Sequence, residues 1–239
     1  MSPSTKRVLV VQHAEPENLG RIAEAVTGEH LEYACIRPDL GQPIPSNLNG
    51  YGGLILMGGP QSVYQEDQFP YLRAEKALTA HAITSDRPVL GICLGSQILA
   101  EVLGSRVQPG RAFELGWKKV TLSPRVADDP VLGRTSDVLM PLHWHGDVYD
   151  LPPGSEPVGS SELTPVQGFA FRKRFYGILF HLETTLNQLV AMVKAFPEDV
   201  SRAGLTAEAL LVEAPARLAA LREPGLEVFR RWASLISVQ

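Results

Sequence analysis

Cys93 stands between two glycines at the end of an apolar run, in "RPVLGICLGSQILAEVLG" (87–104). The run Val89–Ile92 reads as a buried strand, and the helical pattern of "SQILAEVLG" (96–104) begins almost at once. A strand-to-helix turn this sharp leaves little room around its central residue, which accounts for glycine on both sides. Gly91-Ile92-Cys93-Leu94-Gly95 is the nucleophile-elbow pattern with a thiol in the nucleophile's place. The turn lifts the sulfur over the sheet edge. The nearby helix N-terminus is expected to lower the thiol pKa, and a thiolate attacks carbonyl carbons. Cys35, mid-strand in "YACI", reads instead as a small buried hydrophobe.

Such a nucleophile needs a base. His181, in "YGILFHLET", follows another apolar run, and Glu183 stands two residues on. In extended chain, residues i and i+2 point to the same side. His181 can therefore face Cys93 while Glu183 accepts its other N–H and fixes the tautomer, a triad in the order Cys, His, Glu. An α/β-hydrolase carries its acid before its histidine, so the order separates the two. His13, His30 and His81 show no partner pattern. His143 and His145 make an H-x-H pair in "LHWHGD" without a third ligand at zinc spacing, so no metal is expected. Gly58 and Gly59, in "MGGP", let backbone N–H groups approach an oxyanion; the N–H of Leu94 would be the second donor.

Positioning these residues takes a sheet. "RVLVV" (7–11), "LEYACI" (31–36), "GLILM" (53–57) and "PVLGI" (88–92) read as strands. "NLGRIAEAVTG" (18–28), with Asn18 and Gly28 as caps, and "YLRAEKALTAHAITS" (71–85) read as helices, and 37–50 as loop. This rhythm predicts an α/β fold: an open, mostly parallel or mixed sheet with helices on both faces. The second half is richer in strands, at 118–122, 136–142, 166–171 and 175–180, the last two flanking a tight turn at Arg172–Arg174. Helices follow at 185–196, 206–223 and 225–236, where Pro215 should kink or split the second. With 239 residues, no internal repeat and no long linker, residues 1–239 are expected to form one domain, a core over 7–195 and a C-terminal helical extension over 196–239.

Composition narrows the setting. A 44% hydrophobic and 20% charged chain of net charge -4 reads as a soluble globule without the clustered positive charge that nucleic acid needs. The basic run "FRKRF" (171–175) reads as a solvated hairpin tip. No apolar stretch is long enough for a membrane span, and the N-terminal run is too short for a secretory core. Two cysteines make no disulfide framework, so a reducing cytoplasmic setting is expected.

Taken together, "MGGP" (57–60), "GICLGSQ" (91–97), "ELGW" (114–117), "HGD" (145–147) and "FHLE" (180–183) resemble the class I, triad-type glutamine amidotransferases, in that family's order. Within it the chain is most similar to stand-alone proteins resembling the glutaminase domain of GMP synthetase. The resemblance implies a flavodoxin-like fold and no cofactor. It implies attack by Cys93 on the glutamine side-chain amide, oxyanion binding at Gly59 and Leu94, and a pocket lined by Gln97, Gly146 and Asp147. It also implies a separate synthase subunit as a candidate ammonia acceptor. The family's usual H-P-E is His181-Leu182-Glu183 here, and the glycine-rich phosphate loop of a synthetase is missing. Two other readings stay open: a γ-glutamyl peptidase or transferase using the same triad, and a non-catalytic regulatory subunit.

Overall fold

The computed structural model describes residues 6–133 and 136–237. The chain begins with β1 (Arg7–Val11), α1 (Arg21–Gly28), β2 (Glu32–Ile36), β3 (Gly53–Leu56), α2 (Tyr71–Thr84), β4 (Val89–Ile92) and α3 (Leu94–Val102). Seven strands follow: β5 (Val107–Trp117), β6 (Val120–Leu122), β7 (Val138–Leu139), β8 (Leu142–Tyr149), β9 (Glu156–Ser160), β10 (Gly168–Phe171) and β11 (Phe175–Ile178). Helices α4 (Leu186–Ala195), α5 (Pro197–Arg202) and α6 (Ala207–Ser237) complete it.

Nine strands share one sheet in the order β2-β1-β3-β4-β11-β10-β9-β6-β7. The first five pair in parallel and the rest antiparallel, giving the expected mixed α/β sheet. The unbroken apolar runs follow from cover on both faces. Val8 and Val10 pack with Ile22, Val26, Phe229 and Trp232 of α1 and α6. Leu9 and Val11 turn the other way, to Leu72, Leu78, Ile98 and Leu99 of α2 and α3. The β10–β11 hairpin turns through Arg172 and Lys173, both at positive φ and both exposed.

Several expectations need correction. Residues 107–117 form a long strand that pairs with β8 in a separate two-stranded ribbon. Pro109, Gly110 and an exposed outer half give β5 no apolar alternation to read. The strand expected over 136–142 is two, broken at Met140 and Pro141 because proline donates no ladder hydrogen bond. Helix α1 starts at Arg21, since the Asn18 side chain accepts from the Gly20 N–H in a turn before the helix (3.1 Å), and Gly28 is helical while Glu29 caps. Pro215 does not divide the tail: α6 runs unbroken with Pro215 and Pro224 inside. Each interior proline costs about 3 kcal/mol. Burying Leu218, Leu221, Leu226, Phe229 and Trp232, at about 1.5–3 kcal/mol each, outweighs that. Cys35 is exposed rather than buried, because β2 is the sheet's edge strand. Among the described residues no helix is long and apolar enough to cross a membrane.

Candidate active site

The site is a consequence of strand order. Strand β4 lies between β3 and β11, all parallel, so the loops leaving their carboxyl ends converge. Ile92 is level with Ile178, and the Cys93 N–H donates to the Ile178 carbonyl (2.9 Å), which brings His181 beside the thiol three residues on. On the other side Leu56 is level with Gly91, so Gly58 and Gly59 flank Cys93.

The elbow is as sharp as the two glycines imply. Cys93 has φ 48° and ψ -109°, a conformation that costs a non-glycine residue about 1–3 kcal/mol. A Cβ on Gly91 would strike the Gly95 backbone, and one on Gly95 would strike the Leu56 carbonyl. Helix α3 opens directly at Leu94, two residues before its expected start, so the Leu94 N–H belongs to the unpaired first turn. Gly59 packs against the Leu94 and His13 side chains with no room for a Cβ. Among the described residues, neither the Gly59 nor the Leu94 N–H has an acceptor.

His181 is buried, and its Nδ1 lies 2.6 Å from Glu183 Oε1, the contact that the i, i+2 spacing calls for. Among the described residues its Nε2 has no hydrogen-bond partner. Burial works against a charged imidazole, but the Glu183 carboxylate and the adjoining Cys93 sulfur outweigh it and hold the His181 pKa well above its ordinary value. The thiol departs from expectation. Burial pushes the Cys93 pKa up, with the His181 imidazole beside it pulling the other way. Burial and the imidazole thus act on the thiol in opposite directions, and its sulfur rests 3.5 Å from the Trp144 carbonyl.

A cavity of about 540 Å³ opens above the sulfur. Gln97 and Asp147 meet in its wall, where Gln97 Nε2 donates to the Asp147 carbonyl (3.2 Å) and the Tyr64 hydroxyl to Asp147 Oδ1 (3.1 Å). Gly146 lies against the Phe113 ring, at 3.0 Å from where its Cβ would be. Gly58 abuts Glu17, whose carboxylate occupies the space a side chain there would need. The "ELGW" glutamate, Glu114, is buried and accepts from Ser161 (2.8 Å), Thr164 (2.5 Å) and Gln167 (3.1 Å), with His145 at 3.6 Å. Burial pushes the His143 pKa down to about 4 and holds that of His145 well below its ordinary value. Among the described residues no three His, Cys, Asp or Glu side chains are grouped to hold a metal ion.

Four features escaped the sequence reading. His13, which showed no partner pattern, is fully buried against Glu75 (2.9 Å) with its Nδ1 3.1 Å from the Gly58 carbonyl. Glu17 lines the cavity, Trp144 presents its carbonyl to the sulfur, and Phe196, Glu198, Asp199 and Arg202 supply one wall. That wall is tied down by Trp144 Nε1 donating to Asp199 (2.9 Å) and by Arg202 over the Phe113 ring (4.8 Å).

Known proteins are similar to this chain in sequence and in fold. The profile of the family described as glutamine amidotransferase class-I matches residues 21–196. The glutamine amidotransferase-like protein YfeJ of Salmonella typhimurium is 29% identical over 200 residues, covering 82% of this chain and 84% of that protein. The GMP synthase of Thermomicrobium roseum is 34% identical over 196 residues, covering 80% of this chain and 34% of that enzyme, so the chain spans about a third of its length. The crystal structure of a glutamine amidotransferase from Thermotoga maritima superposes with a TM-score of 0.87 at 28% identity, over 95% of this chain and 97% of that one. With the profile spanning most of its length, the chain belongs to the class-I glutamine amidotransferase family.

Proposed function

We propose that this protein hydrolyses the side-chain amide of glutamine to glutamate and ammonia through a γ-glutamyl thioester on Cys93. The observation that carries the reading is the His181–Glu183 contact at 2.6 Å with Nε2 left open beside a thiol at a strained elbow. Glu183 fixes the tautomer and raises the basicity of the imidazole. As sulfur attacks the amide carbon, its proton passes to His181 Nε2. The Gly59 and Leu94 N–H groups take the oxyanion. His181 then protonates the departing nitrogen, and ammonia leaves. Water, deprotonated by the same nitrogen, cleaves the thioester. Gln97, Gly146 and Asp147 hold the amino-acid end of the substrate. On this reading residues 1–239 act as one domain, because Phe196 to Arg202 of the extension wall the cavity, and the ammonia acceptor is a separate protein.

A second reading is favoured by the cavity. About 540 Å³ lies in the range of pockets that bury drug-sized ligands, more than one glutamine fills. The wall from Phe196 to Arg202 supports a substrate in which the γ-glutamyl group is joined to a larger amine. The test is glutamate release by purified protein from glutamine and from a panel of γ-glutamyl amino acids, with Cys93→Ala as control. Cys93-dependent release from glutamine supports the first reading. Release from the conjugates alone replaces it with the second, and silence on both overturns each as an autonomous activity.

A further inference from the structure

Glu17 carries a carboxylate that the mechanism above leaves unused. It stands in the loop between β1 and α1, is 8% exposed, and lines the catalytic cavity together with Cys93. Among the described residues no donor reaches its side-chain oxygens. Its oxygens keep contact with the cavity, so a donor bound there can reach them, and a largely buried carboxylate without a donor in the fold is costly until one does.

Its place says what that donor is. The carboxylate presses on Gly58, which in turn adjoins the Cys93 side chain. The loop that carries it is tied to the His181–Glu183 segment, with the Arg21 N–H donating to the Glu183 carbonyl (2.9 Å) and Gln188 Nε2 to the Asn18 carbonyl (2.8 Å), so Glu17 stands between that segment and Gly58. A carbonyl carbon bound to Cys93 with its oxygen at the Gly59 and Leu94 N–H groups must turn its nitrogen away from both. That direction leads to His181 and, beside it, to Glu17. An amide nitrogen there has two hydrogens, and His181 needs only its lone pair.

We propose that Glu17 accepts a hydrogen bond from the scissile amide N–H of the substrate, fixing the leaving nitrogen so that its lone pair meets His181. The assignment rests on the amidohydrolase reading above. Glu17 gains and loses no proton in the cycle. The C–N bond electrons go to nitrogen, the proton comes from His181 Nε2, and the hydrogen bond to Glu17 strengthens as nitrogen becomes more positive. Either protonation state of the carboxyl keeps an acceptor oxygen.

The experiment compares glutamine with glutamate γ-methyl ester, which offers the same carbonyl but no N–H. Glu17→Met removes the acceptor at similar length, and Glu17→Gln keeps one. The ratio of kcat/KM for the two substrates cancels any difference in folded fraction. Glu17→Met should lower kcat/KM for glutamine about ten- to hundredfold, as for a lost hydrogen bond to a charged group, and leave the ester within about twofold. Glu17→Gln should recover most of the amide rate. Amide and ester falling together, or neither falling, would overturn the assignment. A wild-type chain that cleaves neither substrate would instead remove the amidohydrolase reading, and the role of Glu17 with it.

Discussion

Among the described residues two buried histidines are hydrogen-bonded to a glutamate, and the two pairs differ in one nitrogen. His181 spends Nδ1 on Glu183 and leaves Nε2 open toward Cys93. His13 spends both, Nε2 on Glu75 and Nδ1 on the Gly58 carbonyl. Both of its partners are acceptors, so both nitrogens must donate and the ring is held as a cation. In each pair burial opposes the charged imidazole and the glutamate overcomes it. The electrostatics are therefore alike, and raised basicity alone does not mark a catalytic base. An open ring nitrogen beside a nucleophile does. In the proposed mechanism His181 moves protons, while His13 holds the Gly58 carbonyl in the glycine turn.

Breaking the comparison at the nucleophile has the largest effect. Cys93→Ala should abolish Cys93-dependent glutamate release, a loss on the order of 10⁶-fold in kcat, with the His181–Glu183 pair still in place. Glu183→Gln comes next. It preserves the shape and removes the charge that fixes the tautomer, and kcat should fall about 10⁴-fold. If Glu183→Gln retained more than about a tenth of the wild-type rate, the pair would be a structural ion pair like the other one.

His13→Ala should move stability instead. It leaves the Glu75 carboxylate buried and unpaired, which costs about 3–5 kcal/mol and is read from denaturant unfolding. Assayed well below its melting temperature, the variant should keep kcat within about tenfold, since His13 touches no reacting atom. The pH dependence has a definite sign. The folded pKa of His13 lies above its ordinary value of 6.5, so its contribution is complete below about pH 6.5 and is lost as pH rises through the folded value. A His13→Ala penalty that grew with rising pH would contradict the cationic ring.

Much of this was legible in the chain because the decisive constraints were local. The glycines around Cys93 answer to the backbone of their own turn, and Glu183 reaches His181 across two residues. What sequence alone did not supply was adjacency. That His181 meets Cys93 depends on β11 pairing with β4, across nearly ninety residues. His13 and Glu75 are 62 residues apart and share no motif. Trp144 contributes a backbone carbonyl, which any residue type offers. The thiol pKa ran against expectation because the helix start was visible in the pattern while the burial of Cys93 was a property of the packed site. Glu17 lies in a loop without periodicity, and only the packing of Gly58 against it shows where its charge sits.

Glu17 sharpens the comparison last and most finely, because it feels both pairs. Burial pushes its pKa up to about 7, although His181 and His13 each pull it down. An unfolded glutamate titrates near 4.5, so between about pH 4.5 and 7 the folded chain binds a proton that the unfolded chain has released. Stability therefore falls as pH rises through that window. The full shift corresponds to about 3 kcal/mol, reached above pH 7. Glu17→Gln has nothing to ionise, so it should be the more stable protein at pH 8 by up to that amount, and the gain should vanish toward pH 4.5. Denaturant unfolding of both proteins at the two pH values measures the difference directly. A constant offset would mean that Glu17 is ionised and solvated in the folded protein. A gain confined to high pH would mean that burial makes the ionised carboxylate costly in the folded protein, as expected of a group that awaits the proposed substrate donor.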